Sequence, residues 1–167
     1  MAMGLTGALW AGTAHADTGS GASGSASGSS SGSGTGSFSG SASGSAQLPL
    51  ASPRAQIALA LAGTQTGKPY EWGGTGPDTW DCSGLVQWAF RSVGIFLPRT
   101  TWQQAEVGLE VPFGALQPGD VLILNDDASH EGIYAGGGNV LNAYDWGVPV
   151  GLTPLSQFDI YTIRRFF

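Results

Sequence analysis

From residue 53 onward apolar side chains recur at helical spacing, and from residue 120 onward they recur at alternate positions. Ile57, Ala58, Leu61 and Ala62 fall three and four residues apart, which predicts a helix over residues 53–61, ended by Gly63 and Gly67. An extended piece follows at residues 68–74, with a Gly76-Pro77 turn after it. Leu85, Val86, Ala89, Phe90 and Val93 share one face of a second predicted helix, residues 82–93. Asp81 is placed to cap its N-terminus and Gly94 to follow its C-terminus. A short third helix is expected from residue 100 or 101 to residue 107. Beyond Pro118-Gly119 the period shortens to two. Five strands are then expected, at residues 120–124, 130–135, 139–144, 148–152 and 160–166, mostly antiparallel and joined by short turns. Helices first and strands afterwards indicate an α+β fold rather than alternating βαβ units. The sequence contains no internal repeat.

Composition divides the chain unevenly. The 29 residues 18–46 include 9 Gly and 13 Ser. Such a stretch cannot bury enough apolar surface to offset the entropy of ordering it, so residues 17–47 are predicted to be a disordered tail. Its root-mean-square span is ~30 Å, from about 5–6 Å × √n. Residues 48–167 have the size of one domain with one core. They hold five of the six Trp, all four Tyr and six of the seven Phe, which predicts a core of large aromatic side chains. Residues 1–16 read as a secretory signal: a weakly apolar run from Met3 to Trp10, then Ala14-His15-Ala16 before Asp17, matching the small-x-small cleavage rule. The basic n-region is missing, since no Lys or Arg precedes Arg54: either translation starts upstream of Met1 or the segment is not a signal, and the Gly/Ser tail directly after the cleavage site favours the first. The apolar run is too short to span a bilayer, and no cysteine near position 17 offers a lipid anchor.

Charge narrows the class of partner. Residues 48–167 carry 11 acidic and 6 basic side chains, and only Arg164-Arg165 are adjacent cations. Scattered Lys and Arg argue against a nucleic-acid surface and against a polybasic membrane patch. The single cysteine, Cys82, excludes an internal disulfide and any cysteine-based zinc site, so neither a metal nor another cofactor is expected. The expected state is a monomer.

That cysteine is also the strongest chemical signal. Cys82 lies in Trp80-Asp81-Cys82-Ser83-Gly84, at the first turn of the second predicted helix, where free N–H groups and the dipole are expected to lower its thiol pKa. An unpaired thiol outside the cell is an oxidation liability, which weakens the alternative that it is only a small buried apolar residue. The one histidine beyond the leader, His130, opens a strand in which His130, Gly132 and Tyr134 share a face and Glu131, Ile133 and Ala135 take the other. A three-residue loop Gly136-Gly137-Gly138 would set Gly132 opposite Asn142 and His130 opposite Tyr144, placing Asn142 diagonal to His130 on one face. The Asn142 oxygen could then accept from one ring nitrogen and leave the other to take the proton of Cys82. A two-residue loop would send Asn142 to the opposite face.

Five blocks extend this reading. Tyr70-x-Trp72-Gly73-Gly74, Asp81-Cys82-Ser83-Gly84-Leu85-Val86-Gln87, Leu97-Pro98-Arg99-Thr100-Thr101, Leu116-Gln117-Pro118-Gly119-Asp120 and His130-x-Gly132-Ile133-Tyr134 occur in this order. Together they resemble the NlpC/P60 family of cell-wall peptidases. The resemblance implies a papain-like α+β fold, with the cysteine helix packed on an antiparallel sheet, here of about five strands. It also implies a secreted enzyme that cuts peptidoglycan stem peptides, most often between γ-D-glutamyl and a diamino acid. By position it makes Cys82 the nucleophile, His130 the base and Asn142 the third polar residue, with Tyr70 beside the oxyanion site. Asp81 and Ser83 would line the pocket for the acyl-side residues. Two departures stand out. Glu131 occupies a position that is usually apolar and points away from His130, so it receives no catalytic role; Asn125-Asp126-Asp127 makes the preceding loop acidic, a feature that bears on substrate preference. Trp72, Trp80, Trp88, Trp102 and Trp146 are read as core or cleft wall. An amidase or antibacterial effector on the same fold, or a catalytically silent wall-binding domain, are the alternative readings.

Overall fold

The computed structural model describes residues 48–167; the leader (1–16) and the Gly/Ser tail (17–47) of the sequence reading lie outside the described residues. A six-stranded antiparallel sheet, in the order β1-β6-β2-β3-β4-β5, forms one layer. Its strands are β1 (Leu109–Glu110), β2 (Val121–Leu124), β3 (His130–Gly136), β4 (Asn139–Asn142), β5 (Gly151–Pro154) and β6 (Ile160–Arg165). Helices α1 (Pro53–Gly63) and α2 (Cys82–Arg91) pack on one face, and α3 (Thr101–Gln104) is a single short turn.

Alternation along the strands assigns their faces. Val121, Ile123, Ile133, Leu141 and Ala143 meet Leu85, Val86, Ala89 and Phe90 of α2 in the larger core. Leu122, Leu124, Val140 and Ile163 meet Val111 and Leu155 on the other face, with Tyr134 and Phe158 packed against them. Full burial of a Val, Leu or Phe side chain is worth about 1.5–3 kcal/mol, so Leu85, Val86 and Phe90 fix α2 firmly on the sheet. Asp81 caps α2: its side chain accepts from Gly84 N–H at 2.6 Å.

Several expectations need correction. The buried face of α1 is Ala55, Ala58 and Ala62, while Ile57 is half exposed. Small side chains let α1 approach closely, and a Cβ at Gly119 would come within 3.1 Å of Ala55 Cβ. The core is mainly aliphatic; among the described residues the buried aromatics are Trp80, Phe90 and Phe166, and Trp72, Trp102 and Trp146 are exposed. Strand β1, two residues opposite Arg164 and Arg165, is too short to show a period and makes the sheet six-stranded. The fourth expected strand begins later, at Gly151, because Asp145–Val148 is a turn and Val150 pairs instead with the Gly67–Lys68 backbone at 2.8–2.9 Å. Helix α3 stops at Gln104, short of residue 107.

The β3–β4 hairpin reconciles the two loop readings. Its tip pairs Gly136 with Asn139 around two residues, Gly137 and Gly138, both at positive φ. A bulge between Tyr134 and Gly136 then restores the Tyr134–Val140 and Ile133–Leu141 pairs that a three-residue loop predicts. Gly132 therefore faces Asn142, and a Cβ there would lie 2.5 Å from Val140 Cγ1 and 2.7 Å from the Leu141 carbonyl oxygen.

Candidate active site

Cys82 is the first residue of α2 and opens on a cleft of about 260 Å³. Tyr70, Asp81, Ser83, Arg99 and Thr101 line it with the thiol, and the exposed indoles of Trp72 and Trp102 form its rim. Local chemistry places each wall. Asp81 Oδ1 accepts from Gly84 N–H, Oδ2 accepts from Gly73 N–H at 2.9 Å, and the Arg99 guanidinium grips both oxygens, at 3.1 and 2.5 Å. Arg99 also donates to Ser83 Oγ at 2.8 Å. A planar fork on a carboxylate is a geometry that lysine cannot supply. Asp81 thus joins the helix start, the Gly73 turn and the Arg99 segment. A Cβ at Gly84 would lie 2.2 Å from the Gly74 carbonyl oxygen, so glycine is required where that turn meets α2.

The thiol is not the acidic one its helix position predicts. Burial pushes Cys82 up to about 11, with the nearby Glu131 carboxylate as the next cause. The Thr101 hydroxyl, 3.8 Å from the sulfur, and the Ser83 N–H pull in the other direction and are outweighed. The Tyr70 hydroxyl is likewise raised, by burial first and by the charge at Cys82 next, so it remains a proton donor. Its ring is held edge-on against Trp146, 5.7 Å between centroids.

His130 and Asn142 are brought together as the register predicts, with Asn142 Nδ2 3.2 Å from His130 Nε2. The amide is turned opposite to expectation, nitrogen toward the ring, with Oδ1 accepting from Thr153 Oγ1 at 3.2 Å. Because the Thr153 hydroxyl both donates and accepts, the amide can serve either ring tautomer. Tyr144 and Phe158 cluster with the imidazole, each 5.3–5.4 Å from it and 5.3 Å from the other, and burial drives His130 down to about 4, against a smaller opposing pull from Asp145. His130 Nδ1 has no hydrogen-bond partner among the described residues. The structure does not join the ring to the thiol by a hydrogen bond. Thr101 is the sulfur's partner, and it is Ser129, the residue before His130, that lines the cleft.

Three cleft features escaped the sequence reading. Arg99 stood within the Leu97-Pro98-Arg99-Thr100-Thr101 block, and its pairing with Asp81 depends on tertiary contact. Thr101 was visible only as a helix start. The acidic loop docks on α3, where Trp102 Nε1–H donates to the Asp127 carbonyl at 2.9 Å. Among the described residues no group of His, Cys, Asp and Glu could hold a metal ion, and no helix is long and apolar enough to cross a membrane.

A thiol on the leading turn of a helix, packed on an antiparallel sheet and opening into a cleft, is the layout of the papain-like hydrolase fold. A sequence model described as the NlpC/P60 family matches residues 67–158. The chain belongs to the NlpC/P60 family of endopeptidases and peptidoglycan hydrolases. A probable endopeptidase of Mycobacterium tuberculosis is 49% identical over 104 residues, 62% of this chain and 27% of that protein. A probable endopeptidase of Corynebacterium glutamicum is 40% identical over 119 residues, 70% of this chain and 57% of that protein. The chain therefore spans about a quarter of the first relative and just over half of the second. Among solved structures, NlpC2 from Trichomonas vaginalis superposes with a TM-score of 0.64 at 31% identity, covering 72% of this chain and 48% of that one. The peptidoglycan hydrolase RipB from Mycobacterium tuberculosis gives a TM-score of 0.59 at 29% identity, covering 67% and 64%.

Proposed function

We propose that the chain is a secreted cysteine endopeptidase of the bacterial cell wall, acting as a monomer on peptidoglycan stem peptides at the γ-D-glutamyl–diamino acid bond. The observation that carries this reading is Cys82 at the start of α2, set in a cleft with Tyr70, Asp81, Ser83 and Arg99. With the thiol near 11 and the imidazole near 4, both are uncharged at neutral pH, which supports general-base activation rather than a resting ion pair. In this mechanism the Asn142 amide turns its Oδ1 to accept from His130 Nε2–H, which leaves Nδ1 unprotonated to take the thiol proton as Sγ bonds to the scissile carbonyl carbon. The oxyanion accepts from the Cys82 backbone N–H and the Tyr70 hydroxyl. Collapse breaks the C–N bond, and the imidazolium returns its proton to the leaving amine. Water, activated by the same imidazole, then cleaves the thioester to give the carboxylate and restore the thiol. Asn142 holds the ring, while Asp81 and Ser83 shape the acyl-side pocket.

The test is digestion of the tetrapeptide L-Ala-γ-D-Glu-diamino acid-D-Ala by the full chain, followed by mass spectrometry. Release of the L-Ala-γ-D-Glu dipeptide by the native chain, and none by Cys82→Ala, is expected. Cleavage at another bond would move the specificity, and undiminished cleavage by Cys82→Ala would remove the nucleophile.

A further inference from the structure

The mechanism makes no use of Glu131. This carboxyl has no exposed surface, and among the described residues neither of its oxygens has a hydrogen-bond partner. It is the second residue of β3, immediately after His130, and alternation turns it with Ile133 toward the layer that holds α2. The elements packed around it contribute few charges. From α2 and its cap come Cys82 and Asp81, and from the following segment Arg99; Ile123 of β2 lies opposite it in register and is apolar. The only charged side chain of α1 is Arg54, at its exposed N-terminal turn. A buried acid that served only the fold would have partners, because an unsatisfied carboxyl costs more than an apolar side chain of the same size. On that side of the sheet β3 packs against α2, with Cys82 at its head, and a charge on Glu131 bears on that thiol.

We propose that Glu131 is a positioning residue that sets the charge behind Cys82: neutral, it lets the thiol give up its proton, and ionised, it opposes the thiolate and closes the reaction from the alkaline side. Its effect on catalysis rests on Cys82 being the nucleophile; its effect on the thiol does not. Burial first and the Asp81 charge next raise the Glu131 carboxyl to about 8, with Arg99 opposing, so the change falls just above neutral pH. A glutamate at this position is then a limiter that an apolar residue could not provide.

The experiment is alkylation of Cys82 by iodoacetamide in the full chain, followed by intact mass across pH 6 to 10, for the native chain, Glu131→Gln and Glu131→Leu. Both variants remove the ionisable carboxyl, so a folding failure in one leaves the other to decide, with far-UV circular dichroism as the check. Equal rates are expected at pH 6. Toward pH 10 the variants should alkylate on the order of tenfold faster, because removing a like charge that shifts a thiol by about one pK unit changes its thiolate fraction by about that factor. A variant-to-native ratio that stays constant across the range overturns the proposal. Stem-peptide cleavage measured in parallel separates the two readings. A rising alkylation ratio without cleavage by any of the chains supports the coupling and overturns only the peptidase reading. Cleavage by all with superimposable alkaline limbs overturns the role of Glu131 and leaves the peptidase reading standing.

Discussion

The β2–β3 hairpin buries an acid at each end, and the two are treated in opposite ways. At the Val121–Ile133 end, Asp120 is gripped by the Arg165 guanidinium at 2.7 and 2.8 Å, with both side chains fully buried. Arg165 spends its remaining donors on the Pro49 and Ala115 carbonyls, at 2.6 and 2.8 Å, while Asp120 Oδ2 also accepts from Gln117 N–H. At the Leu124–His130 end, Glu131 has no partner among the described residues. The contrast teaches that burial alone does not identify a functional acid. A satisfied pair ties the Pro49 and Ala115 backbone to the sheet. An orphaned buried carboxyl makes no such tie, and a buried acid of this kind is a candidate for a functional role.

The largest effect is expected where the satisfied end is broken. Arg165→Met should destabilise the protein by about 3–5 kcal/mol, because it leaves the Asp120 carboxylate buried and unpaired. Equilibrium urea denaturation at neutral pH measures this, and a loss below about 1 kcal/mol would erase the contrast between the two ends.

Glu131→Gln should behave in the opposite way, and with a pH signature. The folded carboxyl holds its proton up to about 8, whereas its ordinary value is 4.5. Between these values the native state binds more protons than the unfolded chain, so the native protein loses stability as pH rises through that window. The variant escapes this loss. It should match the native chain near pH 4 and exceed it above pH 8 by an amount on the order of a few kcal/mol. His130 works with the other sign: lowered from 6.5 to about 4, it costs stability as pH falls through that interval. Denaturation midpoints across pH 4 to 9 would show both limbs.

Gly132→Ala tests the catalytic end through packing. The added methyl would press on the Leu141 carbonyl, a backbone atom that cannot rotate away, at a cost of about 1–3 kcal/mol. Thermal unfolding should register the loss, and cleavage should fall with it as Asn142 is displaced. Asn142→Ala adds no bulk and removes the partner of the ring and of the Thr153 hydroxyl, so kcat/KM should drop on the order of 10–100-fold with a smaller loss of unfolding temperature than Gly132→Ala. Full activity in that variant would mean that Tyr144 and Phe158 alone orient His130.

Legibility in the sequence followed the range of the interaction. The capping of α2 by Asp81 and the position of Cys82 at its first turn are local, and residue types fix them; the Gly132–Asn142 pairing depended on a loop length left open and on a bulge that restored the register. Features set by distant contact were hidden. The Arg99–Asp81 fork spans 18 positions and the Asp120–Arg165 pair spans 45. The alanine face of α1 was misread because Ile57 is the more apolar residue, whereas close helix packing selects the smaller one. The thiol's acidity was misjudged for a related reason: helix position is visible in sequence, but desolvation and the charge of Glu131 are not.

The central claim is that the sulfur of Cys82 becomes covalently bonded to the acyl half of the substrate. Acid quench of the full chain during turnover of the stem tetrapeptide, with intact-protein mass spectrometry and peptide mapping, reads this bond directly. The account predicts a mass increase equal to the L-Ala-γ-D-Glu acyl group, mapped to the Cys82 peptide and absent from Cys82→Ala. Turnover with an adduct at another residue would contradict it, as would undiminished turnover by Cys82→Ala.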